Sequence, residues 1–249
     1  MGYLETKALV KKYRKRVVVD RVSLTVNQGE IVGLLGCNGA GKTTTFRMVV
    51  GLIEADQGQI FFDGREISKV PMYERARMGI GYLPQEPTVF AKLTVKENLE
   101  IILEHWKMTR QQRRAKIETL LDEMKLFHLM DAKAGTLSGG ERRRLEVART
   151  LAISPALIML DEPFAAVDPK LVEGLQEIIL HLKQRNIGIL ITDHKAEAIL
   201  SITDRAYVID QGKILKHGTP QELADDSEVR QRYLGDKFFM APKRSALTN

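Results

Sequence analysis

Ile31-Val32-Gly33-Leu34-Leu35-Gly36-Cys37-Asn38-Gly39-Ala40-Gly41-Lys42-Thr43-Thr44 is the stretch that decides the fold of this chain. Its first five residues form a short apolar run that reads as a buried strand. Gly36 to Thr43 then match G-x-x-x-x-G-K-[ST] at every fixed position, and Thr43 to Val50 read as a helix. Phosphate binding needs that order of strand, loop and helix. Glycines let the backbone curl until several N–H groups face one cavity, and the helix N-terminus adds partial positive charge. Lys42 is expected to reach the terminal phosphates and Thr43 to offer its hydroxyl to Mg²⁺. The expected cradle for a nucleoside triphosphate comprises Gly36, Asn38, Gly39, Ala40, Gly41, Lys42, Thr43 and Thr44.

The rest of the composition narrows the class. A chain of 249 residues is long enough to bury a full core. No stretch approaches the roughly 20 consecutive apolar residues that span a bilayer. The start, Met1 to Thr6, lacks the basic and apolar regions of a signal peptide. Gly2 and Thr6 fit a short myristoylation pattern, too loose to carry weight. A single cysteine, Cys37, excludes an internal disulfide and suits a reducing compartment. Its place in the phosphate loop makes it a candidate for thiol reagents. The net charge of +6 gathers at Lys11 to Arg16, Arg142-Arg143-Arg144 and Lys243-Arg244. No nucleic-acid-binding motif accompanies these clusters, so nucleic acid is not an expected partner.

Before the phosphate loop, Val22-Ser23-Leu24-Thr25-Val26 alternates apolar and polar residues ahead of a turn signal and reads as antiparallel β. Gln59–Phe62 and Ile80–Leu83 read as further strands. From Thr94 to about Ala152 the chain becomes charged and amphipathic, and Thr94-Val95-Lys96-Glu97 has capping-box spacing. Beyond it, Leu157–Leu160, Ile187–Ile191 and Ala206–Ile209 read as buried strands between helices. The expected fold is α/β: a mixed β core, an antiparallel β subdomain and a helical insertion. Residues 1–239 are expected to form one nucleotide-binding domain, with a helical subdomain at about 94–152 and a loose tail at 240–249.

Leu157-Ile158-Met159-Leu160-Asp161-Glu162 is an apolar strand ending in two acids. At the carboxyl edge of the sheet Asp161 would hold Mg²⁺, directly or through water, and Glu162 would polarise the attacking water. Alone, such a pair is often a solvated strand end; together with the phosphate loop it points to hydrolysis. Leu137-Ser138-Gly139-Gly140-Glu141 opens a long helix with Ser138 at the N-cap position. A second glycine-rich helix start reads as a second anion cradle. Lying in the insertion, it is expected to serve the ATP of another copy, so that a head-to-tail homodimer closes over two ATP.

The succession GCNGAGKT, YLPQ, LSGGE, LIMLDEP, VD and TDH is similar to the ATPase subunits of ABC transporters, from Leu4 to about Phe238. The resemblance implies a P-loop ABC ATPase fold, Mg²⁺-dependent ATP hydrolysis and two integral membrane subunits. It implies roles by position. Gln85 links metal, water and membrane partner; His194 contacts the terminal phosphate; Asp168 communicates across the dimer; Tyr13 stacks on adenine. Plain alternatives are a surface amide, a helix cap, a turn residue and one more strand aromatic. The catalytic set so implied is Lys42, Gln85, Glu162 and His194. Thr43, Gln85 and Asp161 are the metal set; Ser138, Gly139, Gly140 and Asp168 complete the nucleotide site.

Within the family the chain most resembles the ATPases of lipopolysaccharide exporters, through LSGGERRR, DEPFAAVDP, ITDH and GIGYLPQE. ATPases of branched-chain amino acid importers share Tyr233-Leu234-Gly235 but usually show Leu-Asn at Val167-Asp168 and Glu-His at Asp193-His194. Soluble ABC ATPases of ribosomes or DNA usually carry tandem cassettes or coiled coils, and this chain shows neither. Departures from the exporter pattern are Cys37 for a proline, Ala91-Lys92 for two basic residues, Ala166 for a glycine and Lys195 for an asparagine. The membrane subunits are expected near Gln85 and Phe90, at the cytoplasmic face of the inner membrane. Phe90 reads either as an anchor for them or as core packing.

Overall fold

A computed structural model describes residues 3–165, 168–235 and 238. The expected tail lies outside them, as do Ala166 and Val167.

The described residues form two sheets. The first contains β1 (Leu4–Tyr13), β2 (Arg16–Val26), β4 (Gln57–Phe62) and β5 (Arg65–Glu66), in the order β2-β1-β4-β5. All its pairings are antiparallel. Asp63-Gly64, both at positive φ, make the tight hairpin turn between β4 and β5. The second sheet is six-stranded. It runs β10 (Lys213–Gly218), β9 (Arg205–Asp210), β3 (Ile31–Leu35), β8 (Gly188–Thr192), β7 (Leu157–Asp161), β6 (Ile80–Leu83). Every pairing from β9 to β6 is parallel, and only β10 returns antiparallel. β3, β7 and β8 are buried at all five positions, as expected of parallel strands covered on both faces.

Helix α1 (Lys42–Val50) follows the phosphate loop, and α2 (Met72–Arg77) precedes β6. Between β6 and β7 the chain forms α3 (Val95–Leu103), α4 (Arg110–Glu123) and α5 (Gly139–Ala152). Each begins with a reciprocal capping box: Thr94 with Glu97, Thr109 with Gln112, Ser138 with Glu141. Their apolar faces meet through Val95, Leu99, Ile117, Leu121, Leu145 and Ala148, all essentially inaccessible. Helix α6 (Pro169–Gln184) starts with Asp168 as N-cap, accepting from Leu171 N at 3.1 Å, and proline at its first position. Helix α7 (Ala196–Leu200) follows β8, and after β10 come α8 (Pro220–Asp225), α9 (Ser227–Val229) and one π-helical turn, Arg230–Leu234.

Most strand expectations match within a residue or two. One reading shifts. Helix α1 begins at Lys42, one residue before Thr43, because Gly41 at φ 111° is itself the N-cap. The acid-bearing strand β7 is separated from β3 by β8.

Candidate active site

The parallel strands β3, β8, β7 and β6 end along one edge, each delivering a different loop. At the end of β3 the phosphate loop curls tightly. A Cβ at Gly36 would lie 2.2 Å from Ile209 O, and one at Gly41 2.8 Å from Val18 O, both backbone atoms. Gly39 faces open space instead. Lys42 is 4% exposed, and its ammonium donates to Gly36 O at 2.6 Å and Cys37 O at 3.0 Å. That folds the side chain back over its own loop. Burial lowers its pKa; Glu162, then Cys37, Asp161 and Asp193, work against the fall. Thr43 and Thr44 occupy the first turn of α1 and are half-buried. Cys37 is exposed, with its thiol donating to Arg232 O at 3.6 Å.

At the end of β7, Asp161 is buried, and its Oδ2 accepts from the Tyr82 hydroxyl at 3.2 Å. Its Oδ1 is also buried and has no hydrogen-bond partner among the described residues. Burial raises its pKa, Tyr82 opposes, neighbouring Glu162 adds to the rise, and Arg47 and Lys42 oppose it. Since the folded pKa lies above the unfolded value, the ionised form costs stability at pH above the folded pKa. Protonation removes that cost as pH falls below the unfolded value. Asp161→Asn is therefore expected to raise the melting temperature of the nucleotide-free protein near neutral pH, by a few degrees for a gain on the order of 1 kcal/mol. The gain should shrink on acidification, and turnover should be lost. Thermal melts of both proteins across pH test this; a variant that melts lower at neutral pH would contradict it.

Glu162 adopts φ 48°, an unfavourable left-handed conformation for a side-chain-bearing residue, held by its N–H donating to Thr192 O at 2.8 Å. Gln85, just beyond β6, donates from Nε2 to Glu162 Oε2 at 2.9 Å. His194, just beyond β8, places Nδ1 3.8 Å from the same oxygen and 3.4 Å from Asp193 Oδ1. Three separate strand ends thus converge on one carboxylate. His194 is half exposed and Glu162 mostly covered.

Three residues outside the expected set hold this arrangement. Asp193 is fully buried; its Oδ2 accepts from Phe164 N at 2.7 Å and its Oδ1 from Lys195 N at 3.0 Å. Thr192 donates from Oγ1 to Leu34 O at 2.7 Å, tying the end of β8 to β3 directly before the phosphate loop. Tyr82 orients Asp161. Signals existed for two of them: Asp193 is an acid ending an apolar strand, as Asp161 is, and Tyr82 stands in the YLPQ run.

The remaining expected residues lie further out. Ser138 and Gly139 are exposed on α5, and Ser138 donates to Glu141 Oε2 at 2.7 Å. Gly140 is buried, and a Cβ there would sit 2.3 Å from Leu171 Cδ2, so α5 packs its start on α6. Asp168 caps α6 and is exposed, combining the plain reading with an accessible position. Tyr13, 49% exposed at the end of β1, has the Lys11 ammonium 5.8 Å from its ring centroid. Phe90 is 45% exposed, which core packing does not explain.

The donor set suits Mg²⁺. Among the described residues no cluster of three or more His, Cys, Asp or Glu forms a protein-only metal cage. Mg²⁺ characteristically keeps waters and takes substrate phosphate oxygens beside one or two carboxylates. The buried, unpartnered Asp161 Oδ1 is such a carboxylate oxygen.

The family model described as "ABC transporter" matches residues 19–165. The chain belongs to this family. It is an ABC ATPase. The lipopolysaccharide export system ATP-binding protein LptB of Acidithiobacillus ferridurans is 53% identical over 235 residues, covering 94% of this chain and 98% of that protein. LptB of Haemophilus influenzae is 53% identical over 239 residues, covering 96% and 99%. Among solved structures, the ADP conformation of MJ1267, an ATP-binding cassette of an ABC transporter, superimposes with a TM-score of 0.85 at 31% identity, covering 95% of this chain and all of that one. No helix of the described residues is long and apolar enough to cross a membrane.

Proposed function

We propose that this ABC ATPase is the motor subunit of a lipopolysaccharide exporter, hydrolysing ATP in a homodimer at the cytoplasmic face of the inner membrane. The observation that carries the substrate is full-length similarity: the export proteins match at 50–53% identity over 94–96% of this chain. The Val167-Asp168 and Asp193-His194 pairs favour the same reading over an importer ATPase.

In this reading the phosphate-loop N–H groups and Lys42 bind and orient the β- and γ-phosphates. Thr43, Asp161 and Gln85 would hold Mg²⁺, which when bound neutralises phosphate charge. Glu162 accepts a proton from the attacking water, with Gln85 fixing its Oε2 and His194 facing the terminal phosphate. Asp193 positions His194, and Thr192 holds the two strand ends in register. Tyr13 stacks on the base. Ser138 to Gly140 and Asp168 act on the partner's nucleotide. Two copies are therefore needed for a complete site.

Isolation of the tagged protein from native membranes is expected to bring down integral membrane subunits. The reconstituted assembly should release lipopolysaccharide from vesicles only with hydrolysable ATP. Recovery with ribosomes, or with subunits that take up amino acids, would sink the assignment.

A further inference from the structure

Gln85 reaches Glu162 from a segment with little main-chain support of its own. The last pairing of β6 joins Leu83 to Leu160, and residues 85–88 beyond it are exposed. Among the described residues, 84–88 make no loop or turn hydrogen bond from main chain to main chain. What holds their backbone comes from α5. Arg143 Nη1 donates to Pro84 O at 3.3 Å, directly before Gln85. On the other side, Thr88 N donates to Glu146 Oε1 at 3.0 Å, and Thr88 O accepts from Arg149.

Glu146 is the centre of this clamp. It is 3% exposed, and its second oxygen, Oε2, accepts from Arg143 Nη1 at 2.7 Å. One carboxylate thus satisfies Thr88 N and also holds the guanidinium that reaches Pro84. A buried ion pair often gains nothing in stability over apolar side chains of similar volume. What an apolar residue could not supply is an acceptor for Thr88 N and a counter-charge for Arg143. The pair is accounted for by where it holds the backbone.

We propose that Glu146 is a positioning residue for hydrolysis: through Thr88 and Arg143 it fixes the backbone on both sides of Gln85, so that the Gln85 amide stands 2.9 Å from Glu162. It touches no reacting atom. This rests on reading Gln85 and Glu162 as the pair that handles the attacking water.

Glu146→Ala in the full-length protein is expected to speed hydrogen exchange of the Thr88 amide about tenfold, while exchange along β7 stays as in the wild type. Its kcat should fall about tenfold with KM for ATP within about threefold, because the phosphate loop is untouched. If the variant loses its cooperative melt, Arg143→Met/Glu146→Met, which leaves neither charge of the pair unpaired, is judged by the same measurements. Gln85→Ala supplies the readout that a merely structural role would not move. If Glu146 acts through Gln85, adding Glu146→Ala to Gln85→Ala should lower kcat by less than about a further twofold, where independent effects would multiply. A Gln85→Ala protein with wild-type kcat would remove Gln85 from the chemistry, and the positioning role with it. A slowed Gln85→Ala protein beside a Glu146→Ala protein of wild-type kcat would overturn the positioning role and leave Gln85 in place. So would a double variant slowed by the product of the two single effects.

Discussion

Glu162→Gln is expected to bind ATP near wild-type affinity, hydrolyse it about 10²–10⁴-fold more slowly and accumulate as a closed dimer. The substitution preserves shape and leaves an amide oxygen for Gln85 Nε2, which donates to Glu162 Oε2 at 2.9 Å in the wild type. It removes the carboxylate proposed to take the proton. Lys42→Ala should fail earlier. In the proposed role its ammonium would donate charge-assisted hydrogen bonds to the phosphates, each worth about 1.5–3 kcal/mol, so ATP affinity should fall by roughly ten- to a hundredfold. The two variants therefore separate binding from chemistry. Nucleotide titration, single-turnover hydrolysis and dimer content with ATP distinguish them. Wild-type turnover in Glu162→Gln would remove Glu162 from the mechanism, and unchanged ATP affinity in Lys42→Ala would remove Lys42 from the phosphates.

The parts of this site legible in the sequence are those whose information is local. Glycine spacing around Lys42, the capping box at Thr94, the N-cap at Ser138 and the acids ending β7 each declare themselves within a few residues. What stayed hidden was assembled by the sheet. Tyr82 meets Asp161 across 79 positions of chain, and Thr192 meets Leu34 across 158. No periodicity reveals such pairs, because strand order decides them. The intervening β8 was illegible for the same reason: apolar runs announce buried strands but not which strand lies beside which. The left-handed backbone at Glu162 was also unreadable, because an acid there gives no conformational signal of the kind glycine gives.

The second large effect is expected at Phe90, where the intact cassette should lose its transporter. The ring is 45% exposed, yet the backbone beneath it is rigidly braced. Asn98, fully buried, accepts from Phe90 N at 2.9 Å and donates to Phe90 O at 3.1 Å. From α5, Glu146 accepts from Thr88 N at 3.0 Å, Arg143 donates to Pro84 O at 3.3 Å, and Arg149 donates to Thr88 O. The Arg149 guanidinium lies 4.8 Å from the Phe90 ring centroid. Side chains spaced three apart on the helix that Ser138 caps thus grip the segment beginning at Pro84. An aromatic held out from such a support matches an interface anchor better than core filling. Losing an aromatic anchor of this kind typically costs on the order of 2 kcal/mol or more, a drop in partner affinity of about thirtyfold or greater. Phe90→Ala should therefore melt close to wild type and keep basal ATPase activity, while recovery of the membrane subunits and transport collapse. The bracing supplies the reason for that separation: Asn98 and α5 hold backbone atoms that the substitution leaves in place. A Phe90→Ala protein that melts much lower by itself would return the ring to the core, and one that assembles and transports normally would exclude the anchor.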